Sequence, residues 1–371
     1  MPRTLPFVLL QVAVCALLLG TGYWVGRRLT LLPMQQRLAA FQTGETLGFL
    51  TAAADRGEFA KAYLDPTRAA AEFDRYSWSP PSTPTPFVGH APNPGTWGNA
   101  TIGPAQCRST RALQVPKPPG VVRVLMTGAS TLYGSGAPGD DRTIPAYLEA
   151  ALQQALGRPV EVFAFATAGW STTHERIAIE NRLCDLEPDA VVAFSGMNDI
   201  RWAAANRNVL WFRSYADELW FQLLNDLQTQ LGQPPLLDVA FPEPARPTAA
   251  LVAARLLRNV RLARCALAER KVPFLFALQP ALPLAAKPLT PRESRWAREV
   301  KEAPYFQACV AAIREALQAE PRERFGFADL VPVFDKMGAA DEIFLDSFHF
   351  GDRGNAVLAQ ALVPPLVELL R

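Results

Sequence analysis

Hydrophobic and polar positions follow three successive rhythms along the chain. The first is a nearly unbroken apolar run from Phe7 to Val25, FVLLQVAVCALLLGTGYWV, in which Gln11 is the clearly polar member. About 20 such residues span a hydrocarbon core as a helix. Arg3 precedes the run, Arg27 and Arg28 follow it, and Tyr23 and Trp24 stand where an interfacial aromatic belt would. The run is longer than a usual signal-peptide core, and the small-residue cleavage pattern after it is poor. Residues 1–30 are therefore expected to be an uncleaved, single-pass membrane anchor.

The second rhythm is amphipathic and helical. From Leu31 to Arg75, Leu38, Phe41, Leu47, Phe49, Leu50, Phe59, Tyr63 and Phe73 lie among Arg, Asp and Glu. This suits a stalk, or helices packed beside a larger domain. Ser77 to Pro104 is rich in Pro, Gly, Ser and Thr, and VPKPPG ends at Gly120, so a linker or a long loop over the core is expected there. Residues 31–120 thus read as a helical stalk and Pro-rich linker.

After Gly120 the rhythm changes to apolar strands alternating with helices. VVRVLMTG (121–128), VEVFAFA (160–166), DAVVAFSG (189–196) and PFLFALQP (273–280) read as strands, and FADLVPVF supplies a short fifth. Helices are expected over 144–156, 172–186, a Trp-rich region to about Gly232, 248–270, 305–319 and 354–370. Strands that are apolar throughout and separated by helices imply a mostly parallel sheet covered on both faces, an α/β fold over 121–371. In such sheets, function gathers at the C-terminal ends of the strands.

Composition adds boundaries. A chain that is 49% hydrophobic and 19% charged, with a formal net charge of +2, suits a substantial core and nothing in it points to nucleic acid. Cys107, Cys184, Cys265 and Cys309 are far apart, without CxxC or Cys/His pairing, so no structural zinc is expected. They could form two disulfides in an exported domain or remain thiols. Arg27, Arg28 and Arg37 outweigh Arg3, which by the positive-inside rule would keep the large domain cytoplasmic. Long domains are translocated despite such small differences, and an extracytoplasmic domain is the expectation here.

The strand ends hold the candidate chemistry. The first strand runs into Gly128-Ala129-Ser130. A serine in such a turn can expose its Oγ and offer its backbone N–H to an oxyanion, or merely cap a helix. GxxxxGK[ST] is absent, which argues against a phosphate-loop reading. Gly169 follows the second strand and would let a backbone N–H approach a substrate, or simply make a tight turn. Asn198 follows the third and can donate an amide hydrogen to developing negative charge, or cap a turn. Near the C-terminus, Asp346 stands three residues before His349, a spacing that lets the carboxylate take the Nδ1 proton and leave Nε2 as a base. The other histidines, His90 in the Pro-rich stretch and His174 in a helix, have no such partner in sequence.

In order, Gly128-Ala129-Ser130, Gly169, Gly196-x-Asn198-Asp199 and Asp346-x-x-His349 resemble the four sequence blocks of the SGNH, or GDSL-type, hydrolase superfamily. The resemblance covers about 121–370. It implies a three-layer α/β/α fold with a mostly parallel sheet, flavodoxin-like in build. It also implies a Ser130–His349–Asp346 triad and an oxyanion hole from Ser130, Gly169 and Asn198, with no cofactor and no metal. Two positions depart from the pattern: Ala129 replaces the usual aspartate, and Thr167 an asparagine often seen two residues before the glycine. The α/β-hydrolase signature Gly-x-Ser-x-Gly fails at Leu132. The expected function is a serine-dependent esterase or deacetylase acting on a small-molecule or glycan ester. O-acyl transfer to a cell-envelope polysaccharide, and a non-catalytic binding protein of the same fold, are the alternatives.

Overall fold

The computed structural model describes residues 4–52, 55–211, 213, 215–237 and 245–371. Arg3, which entered the charge comparison, and the part of the Pro-rich break at 238–244 lie outside them, as do the side chains of Arg37, Phe41, Phe49 and Leu50. The chain forms two compact units. One joins residues 1–43 to 219–238, and the other joins 44–218 to 239–371.

In the first unit, helix α1 (Thr4–Gly26) continues through a π-helical stretch (Arg27–Leu31) into α2 (Leu32–Thr43). Its apolar side chains are exposed all round, Leu19 by 75%. The segment from Pro6 to Gln36 is long and apolar enough to cross a membrane, a property that signal sequences share.

The second unit is built on five parallel strands: β1 (Val122–Gly128), β2 (Val160–Ala166), β3 (Ala190–Ser195), β4 (Phe274–Leu278) and β5 (Phe325–Asp329), in the order β5-β4-β3-β1-β2. Every neighbouring pair is parallel, so each connection is a crossover carrying a helix. Residues of β1, β2, β3 and β4 are buried without exception. Alternation assigns each to a face: Val122, Val124 and Met126 join one core, and Leu125 the other. Helices α3 (Ile144–Leu156) and α9 (Asp352–Leu369) cover the first face through Leu148, Leu152, Leu358, Leu362 and Leu366. Helices α4 (Thr172–Asn181), α6 (Ala249–Glu269) and α8 (Ala303–Gln318) cover the second through Ile179, Leu256, Val260, Ile313 and Leu317. Between β3 and α6 lies α5 (Met197–Ala204), and α7 (Pro291–Glu299) follows β4.

Two charges inside the apolar strands pair with each other. Arg123 and Glu161 are register partners on β1 and β2, 2.5 Å apart, and the guanidinium also donates to Leu186 O and Gln114 O. A buried charge is tolerated when it is paired and its other hydrogens are satisfied.

Residues 44–120 lie inside the same compact unit as the sheet. Leu47, Tyr63, Phe73 and Tyr76 form a buried cluster with Leu345, and Tyr63 Oη donates to Gly136 O at 2.7 Å. The Pro-rich stretch folds into short antiparallel strand pairs, 82–85 with 89–92 and 95–97 with 100–102. Dense proline and glycine disfavour a helix, yet a hairpin edge accepts both. All five cysteines are free thiols, with Cys107, Cys184 and Cys309 buried.

Candidate active site

Ser130 is the first residue of a single helical turn, Ser130–Tyr133, directly after β1. An N1 residue keeps its backbone N–H free of the helix ladder. Its Oγ lies 2.8 Å from His349 Nε2, and His349 Nδ1 lies 2.8 Å from Asp346 Oδ2. Asp346 Oδ1 accepts the backbone N–H groups of Phe348 and His349, at 2.7 and 2.8 Å. This local turn orients both side chains at once. Enclosure pushes the Asp346 carboxyl up, but the imidazole and these N–H donors outweigh it and hold the pKa at about 2. With an ionised acceptor on Nδ1, the neutral imidazole carries its proton there and Nε2 accepts from the serine.

The loop after β2 is held by three side chains. Ala168 O bonds to His90 Nε2 at 3.1 Å, Gly169 O accepts from Trp202 Nε1 at 3.1 Å, and Trp170 O from Asn198 Nδ2 at 2.7 Å. A trans peptide points its C=O and N–H in opposite directions. Anchoring Ala168 O therefore fixes the direction of the Gly169 N–H. Gly169 has φ +82° and Gly196 φ +105°, left-handed conformations that favour glycine. At Gly196 a Cβ would also meet Leu278 Cδ1 at 2.7 Å. That turn starts α5 and places Asn198 one residue into it. The Asn198 amide has two hydrogens, so one remains beyond the bond to Trp170 O.

Beneath these loops lies a buried acidic network. Asp199 accepts from Thr172 N at 3.0 Å and Thr172 Oγ1 at 2.5 Å, and Asn259 donates to the same hydroxyl at 2.9 Å. Glu175 accepts from Thr127 Oγ1 at 3.1 Å and from Ser195 Oγ. Burial raises Glu175 to about 8 and Asp199 to about 6. Glu175 thus ties α4 to β1 and β3. His174 accepts the Ser171 N–H at 3.1 Å, filling the role that Glu or Gln plays in a capping box, and burial lowers it to about 3.

The residues singled out in the sequence form two hydrogen-bonded groups. Ser130, Asp346 and His349 are hydrogen-bonded in line, and Gly169 and Asn198 lie on two loops joined by the Asn198–Trp170 bond. Among the described residues there is no group of acidic, His or Cys side chains able to hold a metal. In the Trp-rich region, Trp202 is buried and Trp211 exposed. Two residues were not anticipated: His90, which braces Ala168, and Trp78, whose ring centroid lies 4.4 Å from that of His349. A Pro-rich stretch carries no periodicity that would place either of them.

A family model of GDSL-like lipases and acylhydrolases matches residues 126–357, more than half of the chain. Solved structures similar to this chain include the lipase Lip_vut3 from a goat-rumen metagenome, 12% identical, with 65% of this chain and 95% of that one covered at a TM-score of 0.41. The acetyl xylan esterase AlAXEase is 13% identical, with 65% and 98% covered and a TM-score of 0.41. A carbohydrate esterase of family 3 from Talaromyces cellulolyticus is 12% identical, with 67% and 98% covered and a TM-score of 0.39. No curated protein matches the chain.

Proposed function

This chain belongs to the GDSL-like lipase/acylhydrolase family of ester-cleaving enzymes, and on that premise we propose that Ser130 is its nucleophile, His349 its general base and Asp346 the orienting carboxylate. The observation that carries the reading is the line Ser130 Oγ, His349 Nε2, His349 Nδ1, Asp346 Oδ2, with both contacts at 2.8 Å. His349 Nε2 takes the Oγ proton as Oγ attacks the ester carbonyl. The backbone N–H groups of Ser130 and Gly169 and the free Asn198 amide hydrogen receive the oxyanion. His349 then returns the proton to the leaving alcohol, and water, activated the same way, releases the acid from Ser130. Asp346 stays ionised throughout, consistent with its lowered pKa.

The chain's own test is labelling by a fluorophosphonate probe and hydrolysis of p-nitrophenyl acetate, beside Ser130→Ala. The variant is expected to lose labelling and at least about a thousandfold in rate. Retained labelling would remove Ser130 from the role. Asn198→Ala is expected to lower kcat by roughly 100- to 1,000-fold with the fold intact. Product analysis with an added sugar acceptor separates hydrolysis from acyl transfer.

The length and apolar character of the N-terminal helix support a single-pass anchor, and we propose that the enzyme domain lies on the extracytoplasmic side. Arg27 and Arg28, directly after the span, weigh toward the opposite side by the positive-inside rule. Protease accessibility of the domain in intact cells decides the orientation.

A further inference from the structure

The family-matched region begins at residue 126, yet a side chain from upstream of it lies against the candidate base. Trp78 sits on the short strand 77–79, its ring centroid 4.4 Å from that of His349 and the planes inclined at 55°. Its backbone is fastened to the loop that follows the nucleophile. Ser77 O accepts from Gly136 N at 2.8 Å, Ser77 Oγ bonds to Tyr133 Oη at 2.7 Å, and Trp78 O accepts from Ser135 Oγ. On the other side, Ser77 N donates to Asn99 Oδ1 at 3.0 Å. The backbone that carries the indole is therefore fixed relative to the loop after Ser130, and the indole, only half-buried, lies against His349.

Position next to a general acid has a chemical consequence. When His349 Nε2 returns its proton, the leaving alcohol oxygen must come within about 3 Å of that nitrogen. The alcohol then lies beside whatever covers the imidazole, and here the neighbour is an indole. The face of an indole is broad, apolar and electron-rich, so it suits the C–H face of a ring better than a short flexible chain. We propose that Trp78 is a specificity-determining residue of this site, a platform that selects esters whose alcohol part is a ring. The inference rests on the assignment of Ser130 and His349 above.

Cyclohexyl acetate and ethyl acetate test it, because they share the acyl group and are both esters of saturated alcohols. The full chain and its variants are assayed for kcat/KM on both, with fluorophosphonate labelling as the check on folding. Trp78→Leu is expected to lose roughly tenfold on cyclohexyl acetate and less than about twofold on ethyl acetate, while Trp78→Phe keeps most of the preference. Should Trp78→Leu fail to label, Trp78→Gln carries the same expectation. Equal losses on the two esters would mean that Trp78 acts only through His349 or the fold, and unchanged rates would mean that it does not face substrate; either overturns the proposal. A wild-type chain that neither labels nor hydrolyses either ester would overturn the Ser130–His349 reading itself, and the platform with it.

Discussion

At the residue scale, the proposed oxyanion hole depends on hydrogen bonds that aim its donors. His90 Nε2 holds Ala168 O, and through the peptide plane it aims the Gly169 N–H. His90→Ala is expected to lower kcat by about tenfold or more with little change in KM, since an aimed donor acts on the transition state; steady-state kinetics on p-nitrophenyl acetate check it. Glu175 is the second such residue. Its folded pKa of about 8 lies above the ordinary 4.5. Its stabilising contribution is therefore complete below about 4.5 and is lost as pH rises through 8. Asp199, raised to about 6, acts in the same direction at lower pH. His174, lowered from 6.5 to about 3, acts oppositely, contributing fully above 6.5 and losing its contribution as pH falls toward 3. Between pH 6.5 and 8, Glu175 dominates among these three. Thermal denaturation should show Tm falling over that window in the wild type and a flatter profile in Glu175→Gln. Glu175→Leu should cost about 1–3 kcal/mol, because the Thr127 and Ser195 hydroxyls lose their acceptor.

At the element scale, the segment carrying Asp346 and His349 has no regular secondary structure of its own, and α7 with the residues before it supplies the rigidity. Thr290 caps α7 in a capping box with Glu293. Glu293 Oε1 also accepts Ile343 N at 3.0 Å and Phe344 N at 3.2 Å. Arg292 pairs with Glu342 at 2.5 Å and donates to Leu345 O at 3.1 Å and to Phe344 O. Lys287 Nζ reaches Asp341 O at 2.9 Å and Glu293 Oε2 at 2.6 Å. Every residue from 341 to 345 is thus gripped just before Asp346. Arg292→Leu is expected to cost about 3–5 kcal/mol, since it strands the buried Glu342 carboxylate; urea denaturation measures it, and kcat should fall along with stability. Helix α9 makes a related point about elements. It runs through Pro364 and Pro365, each lacking an N–H donor, because Leu358, Leu362 and Leu366 recur at helical spacing and are fully buried.

At the scale of the whole molecule, the unit that holds the candidate site begins at Gly44. The earlier segment supplies Tyr63 and Tyr76 to a core cluster, His90 and Trp78 to the site, and Arg108, whose Nε bonds Asp140 at 2.8 Å while its Nη1 reaches Gly134 O at 2.9 Å. Removing residues 1–43 is expected to leave a chain that labels with fluorophosphonate. Removing residues 1–120 is expected to abolish labelling, because it uncovers the Leu345 face and strips the loop 133–136 of its partners. Comparing the two truncations by labelling and by size-exclusion chromatography checks both expectations.

The sequence by itself missed α7 and the short strand pairs of the Pro-rich stretch, but it determined the fold class, the order of the five sheet strands with most of their helices, and the apolar N-terminal span. These follow from local signals: unbroken apolar runs for strands buried on both faces, apolar residues at helical spacing such as Leu358, Leu362 and Leu366, and about 20 apolar residues in a row. The same reading drew attention to Ser130, Gly169 and Asn198, because strand ends are where a parallel sheet exposes its loops. It also drew attention to Asp346 and His349, because a three-residue spacing closes a turn. Tertiary structure alone decided what lies between them. Ser130 and His349 are 219 residues apart and meet across a 2.8 Å hydrogen bond. The contact of Trp78 with His349 and the brace of His90 on Ala168 come from a segment whose prolines and glycines carry no periodicity. The paired Arg123 and Glu161 sit within strands that otherwise read as apolar. Long-range contacts of this kind depend on which loops the sheet order brings together, and no local pattern records that.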